Sequence, residues 1–377
     1  MKNLIKFTSL FILSVLFLSC NNDNNTSYIK SYKGEKISFK NLDNFLKNQM
    51  DSLNIPALSI AVINDGEIIY HNALGVSNTK TNEVVNENSI FEAASISKPV
   101  QAFFVMKLSE KGIIDIDRPL YLYLPDEEME IDQRYKNVTA RMVLCHRTGF
   151  PNWRWFDNPP ENLDINRGDF FMVDNPNTSF NYSGEAYAYL LRVIAHLNFV
   201  NMLELNDVFQ NEVAKPLKMK HAYTNWNNYL YDNKVRGHVN GKPTKRKWST
   251  GLPNQNSLMF GGLQTEANSY AHFMKTIINQ KNLYPETYKS MLSPYTIIPE
   301  DNVSYKQDGI THWSLGLGIK PIENDTIYKH GGSNKGFQSE VAFSIHKKFG
   351  YVFFVNCEKG NQFNKKLEQF LEMTIIK

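Results

Sequence analysis

A serine followed three positions later by a lysine can support nucleophilic catalysis, because the amine can accept the proton of the serine hydroxyl. The sequence contains this spacing four times. The pairs Ser27–Lys30, Ser77–Lys80 and Ser344–Lys347 fall in a polar segment, a turn and a predicted strand end. Only Ser95 and Lys98 stand at the start of a predicted helix, where residues three apart share one face. These two residues are the candidate nucleophile and its proton acceptor.

The helix after Ser95 is predicted from the helical spacing of apolar residues over residues 100–111. Pro99 supports this helix, because proline is tolerated in the first turn of a helix and not further in. The N-terminus of a helix carries unpaired N–H groups and the positive end of the helix dipole. The N–H of Ser95 can therefore face the oxyanion that develops on a carbonyl group under attack.

Tyr182 is the candidate for a second acid/base group. It stands directly before the predicted helix Ala186–Leu197, in the sequence Tyr-Ser-Gly-Glu. A cation such as Lys98 beside the phenol would favour its ionised form, and that form can accept a proton.

The segment His330-Gly331-Gly332-Ser333 ends a predicted strand and is expected to contact the substrate. Its paired glycines allow the backbone to come close to a ligand. The N–H of Ser333 is the candidate for the second oxyanion donor.

Both ends of the chain carry strand signals, whereas the middle is predicted to form helices and long loops. The N-terminal part predicts a helix over Leu42–Leu53 and a hairpin whose strands, Ala57–Asn64 and Glu67–His71, are joined by an Asp-Gly turn. Four strands and a closing helix are predicted near the C-terminus, at residues 313–319, 326–329, 336–344, 350–356 and 363–375. These ends are expected to build one antiparallel sheet covered by the terminal helices.

The expected fold class is therefore α+β, with an antiparallel sheet flanked by N- and C-terminal helices and a mainly helical domain inserted between them. The sheet part would take about residues 39–95 and 300–375, and the helical part about residues 96–299. Together they would form one domain over residues 39–375.

The composition excludes several classes of protein. Of the 377 residues, 42% are hydrophobic and 21% are charged, which is typical of a folded globular chain. Basic and acidic residues number 41 and 38, so the net charge gives no electrostatic reason to expect a nucleic-acid partner. The three cysteines and nine histidines lack the spacing of a disulfide framework or a metal site, and no cofactor is expected.

Residues 1–20 have the pattern of an export signal. Two lysines precede the apolar run Phe7–Leu18, which is shorter than the roughly 20 residues that span a bilayer, and Cys20 follows closely. This arrangement resembles a bacterial lipoprotein signal in which Cys20 becomes the lipidated first residue, and the polar residues 21–38 would form a linker. We expect a soluble domain anchored by lipid in the cell envelope, on the periplasmic or extracellular face. A plain secretory signal is the alternative.

Five segments together resemble the serine hydrolases related to class C β-lactamases and penicillin-binding D-Ala-D-Ala carboxypeptidases. They occur in that family's order and spacing and are FEAASISKP at 91–99, VTARMVLCHRTGFP at 138–151, YSGE at 182–185, FGGLQT at 260–265 and HGG at 330–332. The resemblance covers roughly residues 40–375 and implies a β-lactamase/transpeptidase-like fold. It also implies an acyl-enzyme mechanism with Ser95 as nucleophile, Lys98 and Tyr182 as acid/base partners, and the amides of Ser95 and Ser333 as the oxyanion hole.

Two positions depart from the pattern of this family. Gly184 replaces the asparagine of its Y-x-N motif, so the side-chain amide that holds a substrate amide is missing. His330 replaces the lysine of its K-T-G motif, and an imidazole is mostly neutral near pH 7. Both changes argue against efficient hydrolysis of β-lactams, whose carboxylate needs a cation. Protonation of His330 toward pH 6 is expected to improve carboxylate binding.

The sequence thus predicts a serine hydrolase for a small-molecule or peptide substrate: an ester, an amide or a D-amino-acid-containing peptide. Two alternatives stay open. One is a β-lactamase or D,D-carboxypeptidase acting on cell-wall peptides, and the other is a non-enzymatic, penicillin-binding-like envelope protein.

Two smaller questions concern side chains near these motifs. Cys145 and His146 are expected to be structural, because adjacent helical residues point apart. The tryptophans in the long loops 152–167 and 225–248 either line a substrate cleft or anchor their loops.

Overall fold

The fold is seen in a computed structural model, which describes residues 27–159, 164–245 and 262–374. The helices in these ranges are α1 (Phe39–Leu53), α2 (Ser97–Glu110), α3 (Ala140–Leu144), α4 (Gly184–Leu197), α5 (Leu205–Phe209), α6 (Asn228–Asn233), α7 (Ala267–Ile278), α8 (Pro285–Leu292), α9 (Val303–Asp308) and α10 (Gly360–Phe370). The strands are β1 (Tyr28–Lys30), β2 (Lys36–Ser38), β3 (Ala57–Asn64), β4 (Glu67–Asn78), β5 (Glu83–Val84), β6 (Phe91–Glu92), β7 (Ala222–Tyr223), β8 (His238–Val239), β9 (Lys242–Pro243), β10 (Gln264–Thr265), β11 (Thr296–Ile297), β12 (His312–Trp313), β13 (Gly318–Ile322), β14 (Asp325–Asn334), β15 (Phe337–Ser344) and β16 (Phe349–Val355).

A nine-stranded antiparallel sheet forms the centre of the fold, in the order β11-β12-β13-β14-β15-β16-β3-β4-β5. Strands from the two ends of the chain meet inside it, where β16 pairs with β3 and Val352 lies opposite Ala61. Both strands are buried along their whole length, because side chains cover the sheet on its two faces. The predicted antiparallel sheet built from both chain ends is confirmed.

Helices α1 and α10 cover one face of this sheet. Helix α1 begins after Ser38, whose hydroxyl accepts the N–H of Asn41, and it ends at Asn54 in a left-handed conformation. The rings of Phe45 and Phe370 stack between the two helices with centroids 4.0 Å apart. The terminal helices therefore flank the sheet as predicted.

The opposite face of the sheet carries α7 and, beyond it, the rest of the helical insertion. Helix α7 packs on β3 and β16, and the N–H of Ala267 donates to Ser59 Oγ over 3.1 Å. Helix α7 and strand β11 thus belong to the sheet layer, although the sequence assigns them to the helical part at residues 96–299. Helical periodicity shows that a helix has a buried face, and it does not show which layer that face contacts.

Part of the expected linker over residues 21–38 is folded. Strands β1 and β2 pair with Ile29 opposite Ile37, and Ile29 is fully buried. The Tyr32 hydroxyl donates to Asp325 Oδ2 over 2.9 Å and fixes this hairpin to the sheet. The linker therefore does not extend over residues 28–38, because a few apolar side chains in this polar stretch pack in the core.

Several predictions fall outside the described residues. These are the export signal with Cys20, residues 21–26 of the linker, Trp248, and the first two residues of the FGGLQT segment. In the described part of the chain, no helix is both long enough and apolar enough to cross a membrane.

Candidate active site

Ser95 lies in a short 3-10 turn directly before α2, which itself begins at Ser97. Ser97 Oγ donates to Ala94 O over 2.6 Å and accepts the N–H of Leu263 over 3.2 Å. Ala94 has a φ of 49°, a conformation that side chains with a Cβ atom rarely adopt. Hydrogen bonds of Ser97 therefore hold a strained turn in which Ser95 is half-buried.

Lys98 is almost completely buried beside this turn, with 2% of the residue exposed. Its Nζ lies 3.3 Å from Ser95 Oγ. The same ammonium lies 4.9 Å from the ring centroid of Tyr182 and 5.5 Å from that of Tyr187, within the range of cation–π contacts. The structure thus brings together Ser95, Lys98 and Tyr182, the three residues that the sequence selects for catalysis.

The start of helix α4 positions Tyr182. Ser183 caps this helix: its Oγ accepts the N–H of Ala186 over 2.9 Å and donates to Pro151 O over 2.6 Å. The Tyr182 hydroxyl is buried and has no hydrogen-bond partner among the described residues. This hydroxyl is therefore available to a reacting group.

His146 lies against the ring of Tyr182, with centroids 4.2 Å apart. The backbone N–H of Ser183 donates to its Nδ1 over 3.1 Å, so the neutral ring carries its proton on Nε2. Burial, helped by the positive charge of Lys98, lowers the pKa of His146 well below its ordinary value. His146 is thus a neutral ring beside the acid/base candidate.

His330 is also buried and neutral. Its Nδ1 lies 2.7 Å from Gly331 O, and because a carbonyl oxygen only accepts, Nδ1 carries the proton and Nε2 keeps a lone pair. Nε2 has no hydrogen-bond partner in the described part of the chain. Burial, together with the charge of Lys98, lowers the pKa of His330 to about 3. The expectation that His330 becomes protonated toward pH 6 is therefore wrong.

Strand β14 passes close to the Ser95 turn because Gly332 has no side chain. A Cβ atom on Gly332 would lie 2.5 Å from Ala93 O and 2.3 Å from Ser339 Oγ. Strand β13 pairs with β14 only as far as Lys329, so the following residues of β14 form a free edge. A cavity of about 400 Å³ lies along this edge, and its lining includes Ser95, Tyr182, His330, Gly331, Gly332 and Ser333.

The space beside Gly184 is filled by the ring of Trp153. A Cβ atom on Gly184 would lie 2.2 Å from Trp153 Cζ2. The loop that carries Trp153 is held by Arg154, which is buried and pairs with Glu185 at 2.6 Å and with Glu128 at 2.8 Å. Arg154 therefore anchors this loop, and the ring of Trp153 leaves too little space at position 184 for the asparagine of the family motif.

Phe180, Trp313 and Glu340 are among the residues that line the cavity and that the sequence reasoning missed. The rings of Trp313 and His330 meet edge to face with centroids 5.2 Å apart. Trp313 and Glu340 fall in predicted strands, but strand periodicity does not reveal which strand end lies beside Ser95. Across the described ranges, no group of three or more His, Cys, Asp or Glu side chains is arranged to hold a metal ion.

The sequence and the fold are both similar to those of β-lactamase-related proteins. The sequence model of the family described as Beta-lactamase matches residues 42–372. The protein flp of Staphylococcus aureus (strain MW2) is 20% identical over 357 residues, which cover 90% of this chain and 67% of that protein.

Two solved structures share the fold at low sequence identity. A β-lactamase/D-alanine carboxypeptidase from Pseudomonas syringae has a TM-score of 0.70 and 17% identity, covering 89% of this chain and 98% of its own. The octameric penicillin-binding protein homologue from Pyrococcus abyssi has a TM-score of 0.70 and 20% identity, covering 85% of this chain and 74% of its own. The expected β-lactamase/transpeptidase-like fold is confirmed.

Gly184→Asn is expected to destabilise the protein rather than restore the amide of the family motif. The added side chain meets the Trp153 ring, and such overpacking costs about 1–3 kcal/mol. This cost is measured by urea unfolding of the unaltered protein, of the single variants Gly184→Asn and Trp153→Ala, and of the double variant. The asparagine should cost less in the Trp153→Ala background, and an equal cost in both backgrounds would show that the ring is not the obstacle.

His330 is expected to make stability depend on pH. The pKa of His330 is about 3 in the folded state and roughly 6.5 in the unfolded chain, so protons favour unfolding between these values. Its contribution is complete above pH 6.5 and is lost as the pH falls. The free energy of unfolding should therefore drop between pH 6.5 and 4.5 more steeply than in His330→Asn, by on the order of 1 kcal/mol per pH unit. His146 is present in both proteins, and parallel pH profiles would refute the burial of a neutral His330.

Proposed function

Because the chain belongs to the Beta-lactamase family, we propose that it is a serine hydrolase that forms an acyl-enzyme on Ser95. The observation that carries this proposal is the position of Lys98 Nζ, 3.3 Å from Ser95 Oγ and 4.9 Å from the ring centroid of Tyr182. A nucleophile beside a candidate base and a second acid/base group is the arrangement that acyl transfer requires.

In the first half-reaction, Ser95 Oγ attacks the carbonyl carbon of the acyl donor and forms a C–O bond. The hydroxyl proton passes to the pair formed by Lys98 and Tyr182. The N–H groups of Ser95 and Ser333 hold the negative oxygen of the tetrahedral intermediate. When this intermediate collapses, the bond to the leaving group breaks and the leaving group takes the proton from the same pair.

In the second half-reaction, a water molecule attacks the carbonyl carbon of the Ser95 ester. The pair of Lys98 and Tyr182 takes a proton from the water and returns one to Ser95 Oγ as the ester bond breaks. The products are the free acid and the regenerated hydroxyl. The buried Tyr182 hydroxyl, which no described residue binds, supports this use of the pair in both half-reactions.

The acyl donor is a short-chain ester or a small amide rather than a β-lactam. A β-lactam presents a carboxylate, which needs a cation or a hydrogen-bond donor beside the scissile bond. His330 instead presents a lone pair on Nε2, and its pKa of about 3 keeps the ring uncharged. The ring of Trp153 fills the space in which a side-chain amide on residue 184 would orient an acylamino group.

The catalytic assignment is tested by substitution and covalent labelling. Ser95→Ala should abolish hydrolysis of p-nitrophenyl butyrate and labelling by a fluorescent fluorophosphonate. Lys98→Ala and Tyr182→Phe should each lower kcat by about 10²–10⁴-fold, the usual contribution of a positioned acid or base. The double variant should be little worse than the poorer single variant, because the two groups act as a unit.

Glu35→Gln is the matched control, because Glu35 is exposed and lies in the N-terminal hairpin, outside the lining of the cavity. It should keep full activity and labelling. Full activity of Ser95→Ala would end the acyl-enzyme proposal. A folded protein that takes up neither a fluorophosphonate nor any ester would favour the non-enzymatic envelope protein.

The substrate assignment is tested by comparing p-nitrophenyl butyrate with nitrocefin. We expect kcat/KM to be orders of magnitude higher for the ester, because the site offers no charged partner at His330 for the nitrocefin carboxylate. A fluorescent penicillin should label the protein poorly under conditions in which the fluorophosphonate labels it fully. Faster turnover of nitrocefin would favour the β-lactamase or D,D-carboxypeptidase instead.

The enzyme is held in the cell envelope by a lipid on Cys20. The apolar run that ends just before Cys20 and the polar residues after it support this location. Globomycin treatment of producing cells should cause the unprocessed precursor to accumulate, as seen by gel mobility. Normal processing of a Cys20→Ser variant would show that the chain is simply secreted.

A further inference from the structure

The cavity at Ser95 continues past Gly331 to a group of acidic side chains. Gly331 stands on the free edge of β14, and a Cβ atom there would lie 3.0 Å from Glu340 Oε2. The missing side chain therefore leaves this carboxylate open to the cavity. Glu340 lines the cavity together with Asp308 and Glu368.

The buried side chain of Lys329 lies close to all three carboxylates. Lys329 Nζ lies 2.9 Å from Glu368 Oε1, 3.3 Å from Glu340 Oε1 and 3.5 Å from Asp308 Oδ1. Lys320 adds a second cation, and it pairs with Glu368 at 3.1 Å. Glu340 is only 4% exposed, and its Oε1 has no hydrogen bond of good geometry with any described residue. Of the two buried carboxylates, Glu340 therefore has one cationic partner and Glu368 has two.

The pKa values of Glu340 and Glu368 agree with this difference. Burial raises the pKa of Glu340 to about 7 against the attraction of Lys329, and the charges of Asp308 and Glu368 contribute to the rise. Burial alone would also raise the pKa of Glu368, but Lys329 and Lys320 hold it below its ordinary value. An additional cation at Glu340 would stabilise its ionised form.

We propose that Glu340 forms a subsite for an ammonium group of the substrate, reached across Gly331 by an acyl donor whose carbonyl carbon lies at Ser95. This inference rests on the proposed function and narrows its substrates to esters and amides that carry a free amino group. The ammonium donates hydrogen bonds to the carboxylate, and no covalent step occurs there. Lys365, an exposed cation at the rim of the cavity, is screened by solvent and competes weakly.

The kinetic test uses two esters of equal length that differ in charge, p-nitrophenyl 6-aminohexanoate and p-nitrophenyl heptanoate. The ratio of their kcat/KM values should favour the ammonium ester by about 10- to 100-fold, the effect of one charge-assisted hydrogen bond. Glu340→Gln should reduce this ratio to near one. Glu35→Gln, the exposed control, should keep it. A ratio near one in the unaltered protein, or an unchanged ratio in Glu340→Gln, would overturn the subsite.

Gly331→Ala provides a second variant that leaves every charge in place. Its methyl group would stand between the cavity and Glu340 Oε2, so the preference for the ammonium ester should fall. Lys365→Ala should raise the preference. An unchanged ratio in Gly331→Ala would show that the ammonium group does not pass this position.

The ratio should also depend on pH. Glu340 is charged above its pKa of about 7, whereas the amine stays protonated up to roughly pH 10. Burial is the main cause of this raised pKa, and the charges of Lys329, Asp308 and Glu368, which face Glu340 from the neighbouring strand and helices, modify it. The preference for the ammonium ester should therefore rise from pH 6 to pH 8, since effects on the shared catalytic groups cancel in the ratio. A flat or falling ratio would contradict the subsite.

Binding to Ser95→Ala separates this inference from the proposed function. Calorimetry with 6-aminohexanamide and heptanamide requires no turnover, and the ammonium compound should bind more tightly. If the ammonium compound binds more tightly but the unaltered protein, with Ser95 in place, hydrolyses no ester, the subsite is supported and the hydrolase is rejected. Hydrolysis without any preference for the ammonium compounds would support the hydrolase and reject the subsite.

Discussion

The short distance between strand β14 and the turn of Ser95 is the constraint on which the rest of the site depends. Gly332 permits this approach, because any side chain there would meet Ala93 O and Ser339 Oγ. Ser339 Oγ donates to Ala93 O over 2.7 Å and ties the next strand of the sheet to the same turn. The sheet thereby places the free edge of β14, with His330 and Gly331, directly beside the nucleophile.

Burial at this junction, together with the charge of Lys98, sets the charge of the two histidines beside it. Lys98 lies next to Ser95 Oγ and under the ring of Tyr182, in a place that solvent hardly reaches. Burial, with the positive charge of Lys98 as a smaller contribution, lowers the pKa values of His146 and His330 and keeps both rings neutral. Among the described residues, the site therefore places Lys98 beside two uncharged rings, and acidic side chains lie further along the cavity at Glu340, Asp308 and Glu368.

The parts of the site that depend on local sequence could be predicted. Ser95 and Lys98 lie three residues apart at the start of a predicted helix, and Tyr182 stands before another predicted helix. The strand signals at the two ends of the chain predict one sheet. The protonation state of His330 could not be predicted, because its pKa depends on burial that only the assembled fold creates. The sequence also could not show why a glycine stands at position 184, because the Trp153 ring that fills the space beside it comes from a different segment of the chain.

Glu340 could not be selected from the sequence for a related reason. A glutamate in a strand predicts a solvent-exposed side chain, and here the carboxylate is buried beside Lys329 on the neighbouring strand. Its relation to the nucleophile depends on the absence of a side chain at Gly331 and on the register of β14 with β15, in which Gly331 lies opposite Glu340. Neither fact can be read from periodicity.

The central claim of this account is that Ser95 carries the acyl group during turnover. Acid quenching during hydrolysis of p-nitrophenyl butyrate, followed by mass spectrometry of the intact protein and of its peptides, tests this claim directly. A single butyryl adduct is expected on the peptide that contains Ser95, and no adduct is expected in Ser95→Ala. An adduct on a different residue, or turnover that continues in Ser95→Ala, would contradict it.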